Sequence, residues 1–396
     1  MNLSHLIELH HLARQEADRY PQKRFLYQQL EQNSGRHFLG IIGPRGVGKT
    51  ILLKQLAREH PDAFYISLDT LEEDDLFDIA RTLLETQRIR LLLLDEIHFY
   101  PHYARDLKKI YDFLNLKVIF TSSAALTIHQ SMYDLSRRVQ LLTMFPFSFR
   151  EYLFFKENLS LPALTFADIL EKRWQPEHLR YAHLFEKYLQ GGLYPFSLEE
   201  QDIFPLLQNI LQKVLYRDIP AIEDLRASEI ASLEKMVRFI ARSAIDGINY
   251  TSLSQNIAIT RYKAEKFVKL LEKAFILNVV LPTGTNVLKE PKIVMNLPYR
   301  LLFTDYREAI GGIREDFFVE TMRMKGYRFY YLKSRRGQKT PDYLVETEAG
   351  EFILEVGGKG KGREQFKGID KKKSLIFTHS LSVTGMYRPL LLLGFL

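Results

Sequence analysis

The residues whose types and spacing most clearly imply chemistry are Gly43-Pro44-Arg45-Gly46-Val47-Gly48-Lys49-Thr50. They fit the P-loop pattern, in which a Gly-rich loop is closed by Lys and a hydroxyl residue. The apolar run Phe38 to Ile42 precedes the loop, and a helical pattern opens near Lys49. A strand therefore leads into the loop and a helix N-terminus leaves it, so backbone N–H groups and the helix dipole converge on one anion. The glycines let that backbone approach phosphate oxygens with no Cβ in the way. On this reading Gly43, Pro44, Arg45, Gly46, Val47, Gly48, Lys49, Thr50 and Ile51 form a binding loop for a nucleoside triphosphate, ATP being the expected ligand. Lys49 is expected to neutralise the β- and γ-phosphates, and the Thr50 hydroxyl to ligate Mg²⁺.

A second pair of acids agrees with the first motif. Leu91 to Leu94 runs directly into Asp95-Glu96, which places two carboxyl groups at the C-terminal end of a buried strand. Ligands of open α/β sheets bind at that edge. Asp95 is expected in the Mg²⁺ shell, and Glu96 is expected to orient and activate the attacking water. His98 completes Asp-Glu-Ile-His and reads as a loop residue that couples the site to a partner or supports it structurally. His5, His10 and His11 fall on one helix without companion acids at metal spacing, and read as surface residues. No Gly-x-Ser-x-Gly elbow is present, and with no Cys the chain has no thiolate zinc site and no cysteine nucleophile.

The elements that must position these groups can be read from hydrophobic periodicity. Phe38 to Ile42, Phe64 to Leu68, Leu91 to Leu94 and Val118 to Phe120 read as buried strands, with a fifth at Val139 to Met144. Ile51 to Arg58, Leu76 to Glu85 and Leu107 to Leu114 between them have helical spacing, the alternation of a parallel α/β sheet. After Pro146 the spacing becomes helical, through Phe149 to Phe155, Leu184 to Leu189 and Ile203 to Leu215. Leu253 to Ile257 and Ala264 to Ala274 form a helix pair around Ala258-Ile259-Thr260-Arg261. The strand Ile276 to Leu281 follows, then a turn at Pro282 to Asn286, an order that resembles a winged helix. Last come helix Glu315 to Met324 and strands Arg328 to Leu332, Tyr343 to Val345, Phe352 to Val356 and Leu375 to Phe377.

The 396 residues leave room for two or three domains, and a 46% hydrophobic, 26% charged composition is that of a globular chain. No apolar stretch is long enough to span a membrane and the N-terminus lacks a signal-peptide core, so a cytoplasmic protein without a membrane partner is expected. The net charge is +7, and the window Arg323 to Lys373 carries 14 basic against 7 acidic residues, which accounts for the whole excess. A local excess of this kind points to an anionic partner, DNA or RNA. Tyr327, Phe329, Tyr330 and Tyr331 beside it could stack bases.

With these motifs the chain resembles the AAA+ superfamily, specifically the bacterial and archaeal group of ATPases with a C-terminal restriction-endonuclease-like domain. Phe120-Thr121-Ser122-Ser123-Ala124 is similar to that family's sensor segment, which implies that Ser122 or Thr121 reads the γ-phosphate. Leu135-Ser136-Arg137-Arg138-Val139, followed by Phe145 to Tyr152, is similar to its arginine-bearing stretch. By that match Arg138, with Arg137 as alternate, is the finger that stabilises phosphoryl charge in cis or in a neighbouring subunit of a homo-oligomer. Gly191-Gly192-Leu193-Tyr194-Pro195 resembles its Gly-Gly-x-x-Pro turn and implies a lid element near the nucleotide.

Thr340-Pro341-Asp342 and the strand ending Glu355-Val356-Gly357 resemble the PD-(D/E)xK nuclease core. There Asp342 and Glu355, with Glu315 or Glu320 as a helical acid, imply a Mg²⁺ site that activates water. The lysine position holds Gly357, and Lys359 could reach back only through a bend at Gly357, Gly358 and Gly360. Arg335, Arg336, Lys339, Lys361, Arg363 and Lys367 would suit phosphate contacts.

The expected fold class is α/β: a P-loop NTPase parallel sheet of the AAA+/ASCE type with a helical lid, a winged helix and a C-terminal nuclease-like α/β domain. The expected boundaries are 1–150, 151–228, 229–298 and 299–396. The expected function is Mg²⁺-dependent ATP hydrolysis coupled to movement of a C-terminal arm that binds nucleic acid or protein. The alternatives are an ATP-regulated DNA nuclease, against which Gly357 counts, and a nucleotide-gated switch with negligible turnover, against which Glu96 counts.

Overall fold

The computed structural model describes residues 3–33, 35–71, 75–124, 128, 135–244, 248–284, 290–333, 340–358, 366 and 373–396. The chain divides into two compact units, Met1–Pro146 and Phe147–Leu396. No helix among the described residues is long and apolar enough to cross a membrane.

The first unit opens with α1 (Leu3–Ala17) and α2 (Phe25–Gln32), then alternates β1 (Phe38–Ile42), α3 (Lys49–Glu59), β2 (Ala63–Ser67), α4 (Leu76–Gln87), β3 (Leu91–Asp95), α5 (Tyr103–Phe113), β4 (Lys117–Ser122) and β5 (Val139–Thr143). All five strands are parallel, in the order β2-β3-β4-β1-β5. Every residue of β1 and all but the first of β3 are buried, which is why both read as unbroken apolar runs rather than as alternation. The expected strands and helices of this region are present, β1 with both ends as expected and the others with ends shifted by at most four residues.

α1 buries Leu6, His10, Ala13 and Ala17 along one stripe. The reading of His10 as a surface residue is thereby corrected: its ring is stacked on Phe64 at 4.5 Å and its Nδ1 accepts the Tyr65 N–H at 3.1 Å. An imidazole is apolar enough to fill a helix stripe once one nitrogen finds a backbone donor.

In the second unit α6 (Phe149–Glu157) and α7 (Phe166–Glu171) are followed by short helical turns, and Leu184 to Leu189 breaks into 3₁₀, α and π pieces rather than one helix. Next come α8 (Phe204–Lys213), α9 (Ala227–Arg242), α10 (Tyr250–Ile257) and α11 (Arg261–Lys273). β6 (Leu277–Val280) pairs antiparallel with β7 (Lys292–Met295); of the turn between them, residues 285–289 lie outside the described residues. α12 (Tyr306–Lys325) leads to β8 (Arg328–Tyr331), β9 (Tyr343–Thr347), β10 (Gly350–Gly357), β11 (Ser374–Thr378) and β12 (Tyr387–Pro389). These strands form a mixed sheet in the order β12-β11-β10-β9-β8, antiparallel from β8 to β10 and parallel from β10 to β12.

α12 holds this unit together. Asp316 forms two bonds to Arg300, Nε at 2.7 Å and a terminal nitrogen at 3.0 Å, and accepts the Met295 N–H of β7. Arg300 also donates to the Ile240 and Ala241 carbonyls at the end of α9. Both charged residues are almost wholly buried. The chain ends in a buried turn, Leu390–Phe395, where a side chain at Gly394 would run into Phe149.

Candidate functional site

The strand order of the first unit decides what can meet. β4 lies between β1 and β3, so three adjacent parallel strands end side by side. β1 runs into the loop 43–50, β4 ends on Ser122 with Ser123 next, and β3 ends on Asp95 with Glu96 next. Five residues from distant parts of the sequence, Lys49, Thr50, Asp95, Glu96 and Ser122, thus share one edge, the C-terminal edge at which such sheets bind ligands.

The loop needs its glycines. Gly46 and Gly48 have φ of 82° and 93°, a region strained for any residue with a Cβ. At Gly43 a Cβ would stand 2.2 Å from the Met144 carbonyl oxygen, so only glycine lets the exit of β1 run against the chain leaving β5. Lys49 is buried, and its Nζ donates to the Gly43 and Pro44 carbonyls at 2.9 and 2.8 Å. Burial lowers its pKa to about 8 against the opposing pull of Glu96 and Asp95.

Asp95 accepts from the Tyr65 hydroxyl at 2.9 Å, from the Thr121 hydroxyl and from Thr50. Burial holds its carboxyl above the usual range although these bonds oppose the shift. Glu96 behaves in the opposite way. Burial alone would raise it, but Lys49, His98, the Ser123 N–H and Arg45 outweigh burial and keep it below the usual range. Its backbone is left-handed, with φ of 49°, and its N–H donates to Thr121 Oγ1 at 3.0 Å. The turned carboxylate accepts from the Ser123 N–H at 3.0 Å and the Ser123 hydroxyl at 2.9 Å, with His98 Nδ1 at 3.3 Å and an Arg45 nitrogen at 3.9 Å. Ser122 Oγ lies 3.1 Å from His98 Nδ1. Asp95 is therefore fixed beside three hydroxyls while Glu96 is turned toward cations and the Ser123 N–H, an arrangement suited to dividing metal holding from water activation.

Among the described residues no group of three or more His, Asp or Glu is arranged to hold a metal by protein ligands alone. Mg²⁺ bound with a nucleotide does not require one, since one or two protein oxygens suffice beside phosphate. The Asp95 carboxylate and Thr50 hydroxyl, in contact, are a donor set of that kind.

Arg138 does not join this group within the chain. It precedes β5, whose first residue Val139 pairs with Phe38, whereas the loop follows Ile42 at the other end of β1. Five residues of strand separate the two ends, about 16 Å. Its guanidinium is bound to both Asp112 oxygens at 3.0 and 2.9 Å, and Arg137 is exposed. A finger acting on the loop of its own chain is thereby set aside. The Gly191-Gly192 turn belongs to the second unit, where a side chain at Gly191 would strike Ile203.

Three contributors carried no expected role. Tyr65 faces Asp95 because Ser67 and Asp95 are register partners on neighbouring strands, a pairing the sequence does not display. Ser123 lay inside a recognised segment with no role given to it. Arg24, whose guanidinium reaches the Val47 carbonyl at 2.6 Å, had no signal of its own.

In the second unit Asp342, the residue before β9, donates its N–H to the Leu354 carbonyl and accepts the Val356 N–H on its carboxylate at 2.9 Å, so it lies against β10, the strand that carries Glu355. Glu355 is wholly buried. Glu315 is neutralised by Lys292 at 2.5 Å and bonded by the Tyr343 hydroxyl at 2.7 Å. Glu320 is committed to the Leu297 N–H at 2.9 Å, and burial raises its pKa to about 8. Lys359 and the cations at 335, 336, 339, 361, 363 and 367 lie outside the described residues.

Residues 35–153 match the family described as an AAA domain, and residues 182–298 match a domain of unknown function (DUF8612). The chain is similar to the uncharacterized protein MJ1637 of Methanocaldococcus jannaschii, with 28% identity covering 93% of this chain and 88% of that one. Among solved structures it is similar to the RuvB Holliday junction branch migration motor of Thermotoga maritima, with 13% identity and a TM-score of 0.26, covering 65% of this chain and 84% of that one. A second similarity is to C. elegans PCH-2, with 14% identity and a TM-score of 0.26, covering 65% of this chain and 67% of that one. By its family match alone, the segment 35–153 is an AAA-type P-loop ATPase domain, a class that implies ATP binding and hydrolysis and typically Mg²⁺.

Proposed function

We propose that the protein is a Mg²⁺-dependent ATPase whose hydrolysis cycle moves a C-terminal arm that binds nucleic acid. The observation that carries this reading is the convergence of Lys49, Thr50, Asp95, Glu96 and Ser122 on one sheet edge. Lys49 and the loop N–H groups hold the phosphates, Thr50 and Asp95 hold the metal, Glu96 takes the proton of the attacking water, and Ser122 senses the γ-phosphate. Mg²⁺, when bound, neutralises charge on the phosphate oxygens. Arg138, at the opposite sheet edge, serves the site of a neighbouring copy in a homo-oligomer.

The arm consists of a helical lid over 151–228, a winged helix over 229–298 and a degenerate nuclease-like domain over 299–396. The neutralised Glu315 and the glycine at 357 favour binding of DNA or RNA over its cleavage. A second reading, a nucleotide-gated switch, is favoured by the grip of Ser123 and His98 on Glu96, which withholds the base until they release it.

Phosphate release and plasmid nicking by wild type, Lys49→Ala, Arg138→Ala and Asp342→Ala test these assignments together. Wild type should release phosphate, and Lys49→Ala and Arg138→Ala should each lose it. Mixing those two variants should restore part of the activity, because each supplies what the other lacks. Nicking should be absent with Mg²⁺. Nicking abolished by Asp342→Ala would establish a nuclease, ATP binding without phosphate release would leave the switch, and no rescue on mixing would remove the trans finger.

A further inference from the structure

The segment between α1 and α2 is fastened to the helix that Lys49 opens. Gln55, buried on α3, donates to the Tyr20 and Gln22 carbonyls at 2.6 and 2.9 Å. Lys54 and Arg58 of the same helix pair with Glu16, in the last turn of α1, and with Asp18 just after it. Arg24 follows this tethered turn and is itself only 8% exposed. One terminal nitrogen donates to the Val47 carbonyl at 2.6 Å, and the other to the Phe145 carbonyl at 2.8 Å. The guanidinium thus spans the phosphate loop and the chain leaving β5, using the fixed fork that lysine lacks.

Val47–Gly48 is a trans peptide, so its C=O and N–H point in opposite directions within one plane. Gly48 has no Cβ and sits at φ of 93°, where glycine adds little resistance to rotation of that plane. A fixed Val47 carbonyl therefore directs the Gly48 N–H away from Arg24 at the opening of α3, where a phosphate oxygen would be received. We propose that Arg24 is a positioning residue that presets the Gly48 N–H for phosphate by holding the Val47 carbonyl. The proposal rests on the reading of the loop as a triphosphate site.

The test uses the full chain as wild type, Arg24→Lys and Gln55→Ala, with calorimetry for ATP and ADP, steady-state phosphate release and a circular-dichroism melt. Arg24→Lys keeps the charge but cannot bridge both carbonyls. It should weaken ATP and ADP alike and raise KM about tenfold, with kcat changed less than about threefold. Gln55→Ala loosens the same turn without touching the loop, and should lower the melting temperature with less than about a threefold change in either Kd. Loss of packing alone shrinks the active fraction, which lowers kcat and spares KM. Arg24→Lys with wild-type affinity, or with reduced kcat at unchanged KM, would overturn the proposal. Absence of ATP and ADP binding by wild type is a separate result, which overturns the reading of the loop and the proposal with it.

Discussion

At the scale of the residue, the account depends on protonation states set by burial. Lys49 titrates near 8 because its ammonium is desolvated, and a bound phosphate would raise that value by direct charge pairing. A group whose pKa rises on binding contributes its full share of affinity below the value it has before binding. That share is lost as pH climbs from there toward the bound value. ATP affinity should therefore be constant below about pH 8 and fall by up to about tenfold per unit above it. Calorimetry between pH 7 and 9.5 checks this, with Lys49→Arg as a control that stays charged throughout. A flat wild-type profile would contradict the role of the Lys49 charge. Glu96 needs no such help at neutral pH, since the cations and the Ser123 N–H around it already favour its ionised form.

At the scale of the element, the first unit was largely legible because β1 to β4 are built on apolar runs buried on both faces and each motif sits at a strand end. What was not legible is neighbourhood. The interposition of β4 between β1 and β3, which brings Ser123 onto the Glu96 carboxylate, is a long-range pairing with no local mark. The same holds for His10, whose acceptor bond comes from a residue 55 positions away. Leu184 to Leu189 stays helical but passes through 3₁₀, α and π turns, and the positive-φ Gly191 breaks the path two residues beyond it. β12 and the final turn went unread, although the run Leu390 to Leu393 was an apolar signal.

The ion pair of α12 gives this scale its prediction. Arg300→Ala should destabilise the second unit by about 3–5 kcal/mol, because it leaves Asp316 buried without its cation. A double variant with Met at 300 and Leu at 316 should recover part of that loss, since no buried charge remains. Chemical denaturation checks both, and a single variant as stable as wild type would show that water reaches Asp316.

At the scale of the whole molecule, the proposed nucleotide chemistry lies in the first unit and the proposed anionic partner belongs to the basic C-terminal segment. Both depend on the claim that the edge of the first sheet hydrolyses ATP rather than merely holding it. The carboxylate of Glu96 is the group a binding site alone would not need. The most direct measurement pairs ATP binding by calorimetry with phosphate release for wild type and Glu96→Gln under Mg²⁺. The account predicts closely similar Kd values and a turnover lower by at least about a hundredfold in Glu96→Gln. Equal turnover in the two proteins would contradict it.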